Sequence, residues 1–264
     1  MTLYWIYDIP NSALGVLLVA TWIAVGNGGL LLTRHMVARM WSERTQNEIV
    51  SFFLAALGVF YGITLGLIAV GAWENYQRAG DHVDEEAAAI SSLWYDVSAY
   101  PEPQRARLRA DLRGFTHAVI DSAWPAQSHG AHSEADARWI ANLQADLDQF
   151  NPATAGQAML GTEALTAFNA LVRTRTLRAQ QADGGLPPVV WWVVILGGLL
   201  NIALTWLFVI RPLSAHMLLT GSLSALVGLL IFLIAAMDHP LRGEVSISST
   251  PYQDVFTRLM TQEK

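Results

Sequence analysis

Four stretches free of Asp, Glu, Lys and Arg dominate the hydrophobic pattern: Ser12 to Thr33, Ile49 to Trp73, Pro188 to Ile210 and Leu213 to Met237. A helix rises 1.5 Å per residue and a hydrocarbon core is roughly 30 Å thick, so each stretch is long enough to cross a bilayer. A charge at mid-membrane costs roughly 2.5 to 3.5 kcal/mol on insertion scales, which accounts for its exclusion from about 95 positions. The sequence predicts four transmembrane helices.

Between the second and third stretches the pattern turns amphipathic. Val83, Ala87, Ile90, Trp94 and Val97 recur at three and four residues opposite Asp84 and Glu85, so the second span is expected to continue as one long rod to Pro101. A second helix carries Leu108, Leu112, Phe115 and Val119 and finishes around Trp124 and Pro125. Ser133 and Asp136 resemble a capping box ahead of Ile140, Leu143, Leu147 and Phe150. Asn151 and Pro152 are read as the start of a helix bearing Leu160, Ala164, Phe168 and Leu171, which ends near Gly184 and Gly185. After the fourth span, Val245 to Ser248 alternate as an extended segment would, and Thr250 and Pro251 open a short helix with Val255, Phe256 and Leu259 on one face. The predicted fold class is all-α: a membrane four-helix bundle with an inserted extramembrane helical bundle. Its expected parts are residues 1–74, 75–185, 186–240 and a tail at 241–264.

Charge fixes an expected orientation. Arg34, Arg39 and Arg44 fill the first connection and Arg211 the turn between spans three and four, against Arg78 and Arg242 on the other side. The positive-inside bias then places both short loops in the cytoplasm, and both termini and the polar domain outward. Met1 to Asn11 lacks a basic residue and no cleavage site follows the first stretch, so that stretch reads as a retained span. Tyr4, Trp5, Tyr7, Trp73, Tyr76, Trp191 and Trp192 suit the headgroup layer.

Composition narrows the chemistry. Residues 75–185 hold nine Arg and fourteen acids, with no basic stripe for a nucleic acid. There is no cysteine, hence no disulfide or thiolate chemistry. His129 and His132, with Glu134 or Asp136, sit in a Gly-rich loop that lacks the rigidity and supporting shell of a metal site. No nucleophile elbow, phosphate loop or kinase signature is present, so neither an enzyme nor a cofactor is expected.

The candidate functional residues lie in the spans. Glu48, Ser51, Ala55, Gly58, Gly62, Gly66 and Ala69 share one face of the second span. Small residues at that spacing let helix backbones pack closely, or line a narrow pore with Glu48 at its mouth. Glu48 and Asn47 also stand where the span begins, and a carboxylate there favours the helix dipole. Asn27 and Asn201 are the polar groups most deeply placed in lipid, where an amide is expected to bond a neighbouring helix, with direct ligation of an ion as the alternative. Glu74 and Asp238 end two spans as candidate mouth acids that would concentrate cations, or as a solvated rim.

Asn47 to Trp73 (NEIVSFFLAALGVFYGITLGLIAVGAW), Glu85 to Leu93 (EEAAAISSL), Trp124-Pro125 and Gly185 to Gly243 together resemble the bacterial four-span membrane proteins described as bestrophin-like. Bestrophins proper are pentameric ion channels, anion-conducting in animals and cation-conducting in some bacteria, with the second span around a hydrophobic neck. The resemblance implies a pore built from several copies of the second span. It also implies a cytoplasmic soluble domain, opposite to the arginine bias, and no acidic cluster here maps onto the bestrophin calcium clasp. Two functions follow as expectations. One is a homo-oligomeric channel for small ions, cations favoured, in a bacterial inner membrane. The other is a non-conducting sensor or envelope assembly protein whose helical domain binds a partner.

Overall fold

A computed structural model describes residues 7, 9–40, 43–131, 133–182 and 184–261. Among these residues the secondary structure is helical, with no strand. The helices are α1 (Asn11–Met40), α2 (Glu43–Ser98), α3 (Gln104–Ala118), α4 (Trp124–Ser128), α5 (Ala137–Asp148), α6 (Ala155–Ala182), α7 (Pro188–Trp206), α8 (Leu213–Asp238) and α9 (Thr250–Val255). A π turn at Val119–Ala123 carries α3 into α4, and another at Phe256–Met260 follows α9. The chain divides into two compact units: residues 1–75 with 185–238, and residues 76–184 with 239–264.

The first unit contains four helices long and apolar enough to span a bilayer: α1, the first part of α2, α7 and α8. Trp22, Leu65, Val194, Ile202, Val227, Ile231 and Ile234 form its core. Close approach between helices here depends on glycine. A Cβ on Gly197 would stand 2.6 Å from the Tyr61 ring, whose hydroxyl donates to Val194 O at 2.7 Å, and one on Gly228 would stand 3.0 Å from Val19 Cα. A Cβ on Gly26 would overlap Ser224 Oγ, and one on Gly29 would overlap the Trp206 indole, which donates to Gly26 O at 2.8 Å. These contacts are the small-residue packing that membrane bundles favour where no hydrophobic force drives helices together.

α7 stops at Trp206, four residues short of the expected end of the third span. Asn47 accounts for this. Its Oδ1 accepts Val209 N–H at 2.9 Å and its Nδ2 donates to Val209 O at 3.0 Å, so the amide replaces the helical partners of that residue. Gln46 Nε2 donates to Leu207 O at 3.3 Å and Arg34 to Arg211 O at 3.1 Å, fixing the same turn.

The second unit is built on the predicted stripes. Val83, Ile90, Val97, Leu108, Leu112, Phe115, Val119, Leu143 and Leu171 are fully buried in one core, together with Tyr252 of the tail. α2 runs unbroken through Gly80 to Ser98, as the pattern predicts. Two helix starts differ from expectation. Asp136 precedes α5 but makes no side-chain cap, because its carboxylate is engaged by arginines. α6 begins at Ala155, capped by Thr154: its hydroxyl accepts Gln157 N–H at 3.2 Å while Gln157 Oε1 accepts Ala153 N–H at 2.7 Å. This reciprocal Thr/Gln arrangement satisfies two N-terminal donors and displaces the Asn151-Pro152 start. Val245 lies in a turn and Ser246 at a bend, while Ile247 and Ser248 carry no regular secondary structure.

Gly130 lies at φ +75°, where side chains are disfavoured, and the buried Arg242 guanidinium occupies the space a Cβ would need.

Candidate functional site

The first part of α2 is the least covered span. Val50, Leu65 and Ala72 are buried and Leu54, Tyr61 and Ile68 half-buried on one side. Around the rest of the helix Ile49, Phe52, Phe53, Val59, Phe60, Ile63, Leu67 and Val70 are exposed. The small-residue face lies between these two sectors.

That face splits by depth. A Cβ on Gly58 would stand 3.8 Å from Asn201 Oδ1, so Gly58 faces α7. A Cβ on Gly62 or Gly66 would meet nothing within 4 Å. Their lack of side chains therefore serves no contact within the chain, whereas Gly26, Gly29, Gly197 and Gly228 do serve such contacts. Ser51 and Ala55 are also exposed. Ser51 donates to Asn47 O one turn back at 2.6 Å.

The intramembrane amides behave differently from each other. Asn201 is buried, and its Nδ2 donates to Gly197 O of its own helix at 2.9 Å, not to a neighbouring helix as expected. Asn27 packs against Gly221 of α8, with its buried Oδ1 unmatched by a hydrogen-bond donor. His216 is buried as well, its Nε2 2.9 Å from Thr205 O. Because a carbonyl only accepts, Nε2 carries the proton there.

The charged candidates separate too. Glu48 is exposed, and α2 begins at Glu43, so Glu48 stands in its second turn rather than at the helix end. Glu74 is exposed at the other end of the span. Asp238 is 6% exposed, not part of a solvated rim. It accepts Leu186 N–H at 2.5 Å and Trp191 Nε1–H at 3.3 Å, tying the end of α8 to the start of α7. Pro187 and Pro188 carry no N–H, so Leu186 supplies the donor at that entry. Among the interfacial aromatics, Trp73 and Trp192 are exposed and Trp191 serves Asp238. Tyr4 and Trp5 lie outside the described residues, as do the side chain of Arg44 and His132 of the loop pair. Among the described residues no group of three His, Asp or Glu is placed to hold a metal.

The second unit contains a buried ionic network that the sequence reading missed. Arg178, 1% exposed, donates through Nε to Glu86 Oε2 at 2.6 Å, through Nη2 to Glu86 Oε1 at 3.3 Å, and through Nη1 to Gln127 Oε1 at 2.6 Å. Arg175 forks onto Asp136 with two bonds of 2.8 Å, and Tyr252 OH donates to Glu86 Oε2 at 3.0 Å. Two arginines balance two carboxylates, so the group is neutral as a whole. This joins α2, α4, α6, Asp136 ahead of α5, and the tail. Burial by itself would pull the Arg178 guanidinium down, but Glu86, Tyr252 and Asp136 outweigh it and move its ionisation up. Burial pushes the Tyr252 phenol well above its ordinary value of 10.0, and Glu86 adds to the rise.

The Tyr252 shift has a sign. An unfolded tyrosine ionises near pH 10, whereas the buried phenol keeps its proton, so stability is intact below that pH and falls as pH rises above it. Alkaline titration of unfolding should therefore steepen above about pH 10, and Tyr252→Phe should flatten the slope. The same variant loses its bond to Glu86, at about 1–3 kcal/mol near neutrality. Equal alkaline slopes for the two proteins would contradict the burial of this phenol.

Comparisons with known proteins agree with this architecture. A bestrophin-like domain model matches residues 20–252. A bacterial bestrophin homologue from Klebsiella pneumoniae superposes with a TM-score of 0.70 at 11% identity, covering 94% of this chain and 99% of that one. A point mutant of that homologue gives 0.71 at 10% identity, over 93% and 98% of the two chains. At such identity the likeness is one of fold. No curated protein matches the chain. Four apolar spans, an all-helical fold shared with a bestrophin homologue, and a domain match over most of the sequence place this chain in the bestrophin-like family of membrane proteins.

Proposed function

We propose that this protein is a homo-oligomeric ion channel in which the free faces of α2 surround the conduction path. The observation that carries the reading is the open space at Gly62 and Gly66 on a span whose remaining outward surface is Phe, Ile, Val and Leu. Family membership supports it. Small residues leave room for a file of water and apolar neighbours form a narrow neck, as hydrophobic constrictions in channels do. Glu48 and Glu74 are exposed at opposite ends of the span and would raise local cation concentration, which favours cations over anions. Asp238 is withdrawn from that role by its bonds from Leu186 and Trp191.

The test is flux from liposomes holding the purified protein. Conduction with a reversal potential shifted toward the cation equilibrium is expected, from an assembly of four or more protomers by native mass spectrometry. A silent, monomeric protein would overturn the proposal. On the arginine bias, the extramembrane unit faces outward from a bacterial inner membrane. A cysteine at Ser122 should then react with an impermeant thiol reagent in whole cells, and protection until lysis would reverse the orientation.

A further inference from the structure

The turn between α7 and α8 is held at several points, and one of the groups holding it is the Arg34 guanidinium. Arg34 is the first charged residue after the apolar stretch Ser12 to Thr33, where a span approaches the lipid phosphates. It is half-buried, and its Nη2 donates to the backbone carbonyl of Arg211 at 3.1 Å. That bond takes one of the guanidinium's five donors and keeps the Arg34 fork beside the residue that carries the Arg211 side chain. His35 and Arg39 are exposed on the same end of α1. From Arg34 to Glu48, with Arg211 added, the sequence carries four arginines and two glutamates, Glu43 and Glu48. The local excess is positive even with both acids counted as paired. One turn deeper, Leu31 and Leu32 are exposed on α1, Leu32 at 85%.

We propose that this corner binds an anionic glycerophospholipid, with its phosphodiester between Arg34 and Arg211 and an acyl chain along Leu31 and Leu32. Arginine suits the role because its planar fork matches two phosphate oxygens and tolerates partial burial. A basic corner between spans, at headgroup depth and above an apolar strip, meets both halves of such a lipid. Asn47 and Gln46 hold the turn from α2, so the platform is preformed. The proposal does not depend on conduction.

The test uses the purified full chain in detergent with phosphatidylglycerol, phosphatidylcholine or free glycerol 3-phosphate, read by native mass spectrometry and melting temperature. Phosphatidylglycerol should persist as one discrete adduct per chain and raise the melting temperature, phosphatidylcholine less so, and glycerol 3-phosphate not at all. Arg211→Gln leaves the carbonyl that Arg34 uses and should weaken phosphatidylglycerol retention about fivefold, the worth of one basic residue at a charged surface. Arg39→Gln, which touches no bond of the turn, should weaken it in the same direction, and Arg258→Gln in the tail should leave it unchanged. Equal retention of the two lipids, or full retention by both Arg211→Gln and Arg39→Gln, would overturn the assignment. A shift with glycerol 3-phosphate equal to that with phosphatidylglycerol would make this a free-anion site and overturn the lipid assignment too.

Discussion

Arg178→Met should destabilise the extramembrane unit by about 3–5 kcal/mol, the cost of leaving one partner of a buried ion pair without the other. Among the described residues, the Glu86 carboxylate, which has no exposure to water, would then keep the Tyr252 hydroxyl alone as a donor. Domain stabilities are about 5–15 kcal/mol, so the loss is a large fraction of the total. The double variant Glu86→Leu with Arg178→Met removes both charges and should recover much of the loss, because replacing a buried pair by apolar groups is often close to neutral. Urea unfolding followed by tryptophan fluorescence reads this, with Trp124 5.6 Å from the Tyr252 ring. If the single variant unfolds at the same urea concentration as the parent, the network is not what joins these elements.

Replacing Gly62 or Gly66 by Phe should cut ion flux on the order of tenfold or more, by filling a narrow path with a ring. The chain itself should tolerate the change, since a Cβ at either position meets no atom within 4 Å. Gly71 supplies the control. It is equally open, but its helical phase places it away from the small-residue face, so Gly71→Phe should leave flux within about twofold. Gly197→Phe is uninformative here because it would strike Tyr61 of the same chain. Equal loss of flux from Gly62, Gly66 and Gly71 variants would remove the small-residue face from the path.

Lipid made the spans legible, because it imposes both length and the absence of charge, and α1, α2, α7 and α8 stand where the apolar stretches do. The amphipathic stripes of the polar region were legible for the same kind of reason: Val83, Ile90 and Val97 repeat at helical spacing and are buried. Glu86 is the instructive failure. It sits three residues after Val83 and four before Ile90, inside the stripe, and an acid in phase with buried residues was a signal of a partner. The partner is Arg178, 92 residues away, and no local pattern names it. Tyr252 likewise precedes Val255, Phe256 and Leu259 in phase. Asp238 looked like a rim acid because its donors, Leu186 N–H and the Trp191 indole, come from the entry to α7, 52 and 47 residues earlier in the chain. The end of α7 was misread because a side chain from α2, Asn47, replaces the helical bonds of Val209. The glycines show the limit in reverse. Sequence spacing marked Gly58, Gly62 and Gly66 as one face, and only the folded chain separates the one that meets Asn201 from the two that meet nothing.

The chain has no cysteine, so a single one at Gly62 or Gly66 is a unique probe on a position with room for it. In intact membranes, a charged, water-soluble thiol reagent should modify both and block conduction, as residues on an aqueous path require. Labelling that appears only after the protein is unfolded would mean that this face of α2 lies against lipid or a sealed helix contact, and that the channel reading is wrong.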